Sequence, residues 1–296
     1  MINIMFCGNK KVYDGLLIAI ISMVKHTKEQ LNIYLITADL HELNSDFVPL
    51  TEKEKSKIEE IIKAVNSQSK VHLVDISDMF AKEMLDGTNM TTHYTPYIFL
   101  RLFADEIKEL PDKILYLDAD LVIYNDIKEL YDINIDEYDF AAAKDYFGKW
   151  FIDYKYMNSG VLLMNLKRMR ETGALAECRK MCKEKKMLLP DQTALNVKCK
   201  SKLYLPRKFN EQKNRRKDTV IRHFSMTIKF FPKFYTLNIK PWHIDKIHDV
   251  YKINDFDDVL EEYLEKSTPE NIVFNDEFLV NILTLLFSIS YHKNFL

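Results

Sequence analysis

Asp118 and Asp120, separated by Ala119, are the residues whose type and spacing carry the most chemistry. They follow an apolar run, Lys113-Ile114-Leu115-Tyr116-Leu117, that reads as a buried strand. Successive side chains of an extended backbone point to opposite faces, so the two carboxylates project to one side and Ala119 to the other. Two ionised acids held this close repel each other, and a hard, oxygen-preferring divalent cation relieves the repulsion. Mn2+ or Mg2+ fits better than zinc. The following Leu121-Val122-Ile123 lacks the oxygen ligand and glycine of a calcium-binding EF-hand loop. An Asp-x-Asp triplet is common, so its flanks decide its meaning.

Such a pair needs a scaffold that brings strand ends together. Short apolar runs alternate with amphipathic stretches: Ile4-Met5-Phe6, Tyr13 to His26, Ile33-Tyr34-Leu35-Ile36, Glu52 to Val65, and Val71-His72-Leu73-Val74. This alternation predicts an α/β fold with a parallel sheet and crossover helices. In Glu52 to Val65, Ile58, Ile61, Ile62 and Val65 recur at three- and four-residue steps, leaving Lys53, Lys57, Glu59 and Glu60 largely outside, as in a solvent-facing cover helix. Tyr97 to Ile107 reads as another helix, and Pro111 ends the connection before the strand at Lys113. Ligands of open α/β sheets gather at the carboxyl ends of strands, which is where the acidic pair falls.

The 296 residues are 47% hydrophobic and 29% charged, which fits one large globular domain or two small ones and excludes disorder, collagen and coiled coil. A net charge of -2 argues against binding nucleic acid through bulk positive charge. Glycines at 8, 15, 87, 148, 160 and 173 cannot supply a GxGxxG turn or a P-loop. Cys7, Cys178, Cys182 and Cys199 lack CxxC spacing and read as reduced thiols, and Met1 to Phe6 reads as a first strand instead of an export signal, so a cytoplasmic location is expected.

Charge is unevenly distributed. Residues 105–139 hold twelve acids and three bases, whereas 198–233 hold twelve bases and two acids. These are either two solvated faces of opposite sign or a basic segment that closes over an anionic ligand whose counter-cation the acidic one holds. Near the end, the twelve apolar-rich residues Phe278 to Ile289 fall short of the roughly 20 that span a membrane. That run is expected to dock on the core or on a second copy in a homodimer, with peripheral contact at the inner face of the membrane as the other option.

Three further strings follow the acidic pair in order. Tyr156-Met157-Asn158-Ser159-Gly160-Val161-Leu162-Leu163-Met164-Asn165-Leu166 has the form NxGxxxxN, Leu189-Pro190-Asp191-Gln192-Thr193-Ala194-Leu195-Asn196 the form DQxxxN, and Lys240-Pro241-Trp242 follows His223. With Ile114 to Ile123 and Phe209-Asn210, they resemble the motif set of the family 8 glycosyltransferases, retaining enzymes of the GT-A fold. The resemblance spans residues 2–243. It implies a GT-A domain over 1–243, with a mostly parallel central sheet and helices on both faces, and a C-terminal helical extension over 244–296. It also implies metal-dependent transfer of a hexose, glucose or galactose, from a UDP-sugar to a glycan, lipopolysaccharide-type or glycolipid acceptor. The alternative is a catalytically inactive relative that binds nucleotide sugar or metal in a regulatory or assembly role. Glycoside hydrolysis is a weaker choice, because acids this close are too constrained to straddle a glycosidic bond.

Residue by residue, the resemblance implies that Asp118, Ala119 and Asp120 meet metal and diphosphate, with His223 as third metal ligand. Arg101 would face the donor, Asp145, Asn158, Ser159 and Gly160 would surround its sugar, and Asp191 and Gln192 would lie nearest the reacting carbon. Plainer readings stand beside these: a structural histidine, a surface arginine, strand-end caps at Asp145 and Asn158, a tight turn at Gly160, and a helix N-terminus at Pro190-Asp191. Two positions depart from the family pattern. Asn9 stands nearest to the place of an aspartate that reads the nucleotide base. Lys229 has the spacing from the histidine that a diphosphate lysine has, whereas Lys240 has the KPW string, so one is expected at phosphate and the other in a structural or acceptor role. Acceptor contacts are expected in the loops Asp86 to Thr95 and Lys213 to Lys217, the latter also suited to anionic lipid heads or acidic glycans or simply solvated.

Overall fold

The computed structural model describes residues 1–90, 94–229 and 235–267. Phe278 to Ile289 lies outside the described residues. Strand β1 (Ile2–Cys7) leads to α1 (Tyr13–His26), β2 (Leu31–Thr37), α2 (Glu52–Val65), β3 (Lys70–Asp75) and α3 (Ser77–Met84). After a 3-10 helix at Pro96–Phe103 come β4 (Lys113–Leu117), β5 (Leu121–Ile123), α4 (Lys128–Tyr131), β6 (Phe140–Ala142), α5 (Gly148–Phe151) and β7 (Val161–Asn165). Helices α6 (Leu166–Thr172), α7 (Ala174–Glu184) and α8 (Pro190–Lys198) precede β8 (Lys202–Tyr204) and β9 (Ile221–His223). Then follow β10 (Thr227–Lys229), β11 (Tyr235–Leu237), α9 (Ile244–Asp249) and α10 (Asp257–Lys266).

The main sheet has the order β3-β2-β1-β4-β7-β6-β8. Strands β3, β2, β1 and β4 are parallel, β7 is antiparallel to both β4 and β6, and β6 pairs parallel with β8. The strands read as continuous apolar runs because both faces are covered. On β1, Ile2, Ile4 and Phe6 join one apolar cluster and Met5 the other; on β4, Leu115 and Leu117 face the first, Ile114 and Tyr116 the second. The first cluster takes in α1, α2, α9 and α10; the second takes in α3, the 3-10 helix and α6 to α8. Helices α9 and α10 thus share the core of the sheet. No helix among the described residues is long and apolar enough to cross a membrane.

Local sequence explains the helix over Glu52–Val65. Thr51 and Glu54 form a reciprocal capping box, and Ile58, Ile61 and Ile62 are buried on the sheet side. Pro96–Phe103 departs from expectation, coiling as a 3-10 helix where an α-helix was expected. Seven of its eight residues are buried, so there is no single apolar stripe to select the α-helical period.

Candidate active site

The metal-ligating atoms offered by Asp118, Asp120 and His223 all lie within 4.8 Å of one another. Two strand pairings bring them together. Leu117, the last residue of β4, pairs with Val161 of β7, and the Asp118 amide donates to the Gly160 carbonyl at 2.8 Å. Leu121 of β5 pairs with His223 of β9, which carries the imidazole to the acids from far downstream. His223 Nε2 stands 3.2 Å from Asp120 Oδ1 and 3.7 Å from Asp118 Oδ2. The acids converge through a bend at Ala119 and Asp120 and not through the alternation of an extended strand, because the short connection from β4 to β5 turns the chain there.

Gly160 makes this approach possible. A Cβ on it would lie 2.2 Å from His223 Cε1 and 2.8 Å from Asp118 Oδ2. Its φ is not positive, so close packing, and not a left-handed turn, requires glycine. Two carboxylates and an imidazole suit a divalent cation that accepts mixed oxygen and nitrogen ligands, as manganese does. Burial opposes the charge of Asp120, but Lys240 and His223 outweigh it and hold the carboxyl well below the usual range. Burial likewise opposes a charged His223, and the Asp120 and Asp118 carboxylates overcome it and push the imidazole up. The two acids are thus charge-compensated by cations of the chain itself.

Arg101 is buried, which removes its reading as a surface charge. Its Nη2 donates to Asp118 Oδ1 at 2.9 Å and its Nη1 to the Ser159 carbonyl at 2.7 Å, while Nε lies 3.6 Å from Asp191 Oδ2. Its guanidinium also lies 4.2 Å from the centre of the Tyr116 ring, whose hydroxyl donates to Asp118 Oδ1 at 2.5 Å. Sequence reasoning gave Tyr116 no role. The signal was its two-residue spacing from Asp118, which puts both at the same face of the strand end.

A chain of amides connects the rest. Asp145 Oδ2 accepts from Asn158 Nδ2 at 2.9 Å and from Gln192 Nε2 at 3.2 Å, while its Oδ1 caps the Phe147 and Gly148 amides at 3.0 and 2.6 Å. Asp145 is thus a cap and a member of the cluster at once. Asn158 Oδ1 accepts from the Gly160 amide and from Asn210 Nδ2, and Asn210 Oδ1 lies 3.2 Å from His223 Nδ1. An acceptor at Nδ1 leaves Nε2 as the nitrogen turned toward the acids, the one that would meet a metal ion. Asp191 and Gln192 open α8, as the capping signal predicts, and also reach inward: Gln192 Oε1 accepts from the Ser159 amide at 3.0 Å, and Ser159 Oγ lies 3.4 Å from Asp191 Oδ2. Burial raises the Asp191 pKa above the ordinary carboxylate value, with Arg101 opposing.

Of the two candidate lysines, Lys240 reaches the cluster, with Nζ 2.5 Å from Asp120 Oδ2 and 3.0 Å from the Phe224 carbonyl. Trp242 packs where Gly15 leaves no Cβ, which fixes the Lys240-Pro241-Trp242 turn against the sheet end. Lys229 closes β10, and its side chain lies outside the description. Asn9 follows β1, which runs parallel to its neighbour β4, so it lies at the same carboxyl end of the sheet as the acids; it is buried, and its Nδ2 has no hydrogen-bond partner among the described residues.

A mixed sheet with an acid-acid-histidine cluster at its strand ends defines a GT-A fold. The structure is similar to that of the galactosyltransferase LgtC solved with donor and acceptor sugar analogues, with a TM-score of 0.63 and 19% identity over 91% of this chain and 98% of that one. The profile described as "Glycosyl transferase family 8" matches residues 3–246, and the chain belongs to that family. Among relatives, the lipopolysaccharide 1,2-glucosyltransferase of Escherichia coli K12 is 27% identical over 82% of this chain and 73% of that protein. The probable glycosyl transferase Gly of Streptococcus gordonii is 31% identical over 37% of this chain, a match that spans only 16% of that protein's length.

Proposed function

We propose that the chain is a retaining, manganese-dependent glycosyltransferase that moves glucose or galactose from a UDP-sugar to a glycan or glycolipid acceptor. The observation that carries this reading is the Asp118, Asp120 and His223 cluster with Lys240 against it. Asp118, Asp120 and His223 would hold a divalent cation, which would supply Lewis-acid stabilisation of the diphosphate charge that develops as the sugar leaves. Arg101 and Tyr116 hold and aim the Asp118 carboxylate, and Asn210 orients His223. Lys240 moves from Asp120 to a diphosphate oxygen once the donor arrives, adding a charge that matters most when the bond breaks. Asp145, Asn158 and Gln192, already joined by hydrogen bonds, exchange some of these for the donor's hydroxyls. Gln192 is a poor nucleophile. With Asp191 unproven in that role, the family resemblance favours attack by the acceptor hydroxyl on the face that the diphosphate leaves, its proton passing to a donor phosphate oxygen.

The test is UDP release from UDP-glucose and UDP-galactose by the purified protein, with and without manganese. Metal-dependent release supports the reading, and tight binding of donor without any turnover overturns it in favour of a binding role.

A further inference from the structure

Helix α5 and the residues around it expose large aromatic side chains directly beside the site. Trp150 is 72% and Tyr154 68% exposed. Cations interleave with these rings: Lys144 Nζ is 3.4 Å from the Tyr154 ring centre, Lys149 Nζ is 5.7 Å from that of Trp150, and Lys213 Nζ is 4.1 Å from that of Tyr146. The one carboxylate of Asp145 is the joint between this surface and the cluster, since Oδ1 caps the start of α5 while Oδ2 holds Asn158 and Gln192. Asp145 is thereby turned inward, so Lys144, Lys149 and Lys213 outnumber the exposed acid of this turn, Asp153. Exposed aromatics of this size mark a binding surface.

Building on the transferase reading above, we propose that Tyr146, Trp150 and Tyr154, with Lys144, Lys149 and Lys213, form the acceptor platform and that it takes an anionic saccharide. A pyranose ring presents an apolar C–H face, which stacks on an exposed indole or phenol ring. A carboxylate or phosphate on the same saccharide meets the lysine ammonium groups, whose charge is accessible at the rim. Asp145, adjacent to Tyr146 in the chain, links this surface to Gln192, so a saccharide stacked there would direct a hydroxyl toward the donor sugar. This differs from the loops that sequence alone singled out, except at Lys213.

Calorimetric titration of the intact protein, loaded with manganese and UDP, tests the assignment with trigalacturonate as anionic probe, maltotriose as neutral probe and phosphatidylglycerol vesicles as anionic lipid surface. Trigalacturonate is expected to bind at least about tenfold more tightly than maltotriose. Trp150→Ala and Lys149→Ala should each weaken it by about that factor, Trp150→Phe should retain it, and UDP affinity should be unchanged in all three variants. Equal affinity for the two saccharides, full trigalacturonate affinity in Trp150→Ala, or binding to vesicles alone would each overturn the proposal. Failure of the parent protein to bind UDP with manganese would instead count against the transferase reading, independently of what the saccharides do.

Discussion

Lys240 Nζ lies 2.5 Å from Asp120 Oδ2, so the acid expected to grip a metal ion already holds a counter-cation from its own chain. Lysine and metal compete for the same carboxylate. Without a metal, this contact offsets the repulsion between Asp118 and Asp120; in the proposed reading, metal and donor would free the ammonium group to serve the diphosphate.

Replacing Lys240 should separate these two roles. Lys240→Ala is expected to bind manganese alone up to about tenfold more tightly, yet to bind UDP in the presence of manganese more weakly and turn over more slowly. Calorimetry with metal alone, then with UDP, measures both. A parallel loss of affinity for metal and for UDP would show that Lys240 supports the metal site instead of competing for it.

Asp120→Ala should abolish manganese binding and lower turnover by about 1,000-fold or more, the loss expected when several kcal/mol of Lewis-acid stabilisation disappears. The fold should survive, because Asp120 lies at a strand end and packs into neither apolar cluster. Circular dichroism and melting curves check the fold; near-normal activity with manganese would refute the assignment.

Gly160→Ala tests the close approach. A Cβ at 2.2 Å from His223 Cε1 must push the imidazole away from the acids. Metal affinity is expected to fall by about 10–100-fold, the cost usual for disturbing the support of a ligand. Manganese titration followed by electron paramagnetic resonance reads this directly, and unchanged affinity would mean that His223 is not a ligand.

Asp191 offers a pH-dependent test. Burial raises its pKa in the folded protein, although Arg101 partly opposes this. A folded-state pKa above the unfolded one means that the folded protein binds the proton more tightly. The resulting stability is complete below about pH 4, the unfolded value, and is lost as pH rises through the folded one. Asparagine is neutral throughout. The melting temperature of Asp191→Asn relative to the parent should therefore rise between about pH 4 and about pH 7, as checked by scanning calorimetry. A constant difference across that range would rule out the buried charge as the cause.

Much of this arrangement was legible in the sequence because local signals carried it. The helices at Tyr13–His26 and Glu52–Val65 have the predicted bounds, the second fixed by apolar periodicity and by the Thr51 cap. Asp118, Asp120, Asn158, Gln192 and His223 come together as the ordered motifs imply. Relationships that depend on tertiary packing were hidden. Nothing local announces that Asn210 meets His223, that Arg101 is buried, or that Lys240 reaches Asp120. The 3-10 coil at Pro96–Phe103 escaped because burial on all sides erases the pattern that distinguishes helix types. The aromatic residues around Trp150 carried no message until their exposure was seen.

The short ribbon between β5 and β9 has a consequence for biosynthesis. A nascent chain that has emerged only as far as Asp120 owns two of its three metal ligands, and the third arrives when β9 zips onto β5. If these three residues hold a cation as proposed, its capture would report that synthesis has passed β9: a chain ending before His223 would lack the third ligand, and one that carries it would gain stability by mass action from the ion it closes around.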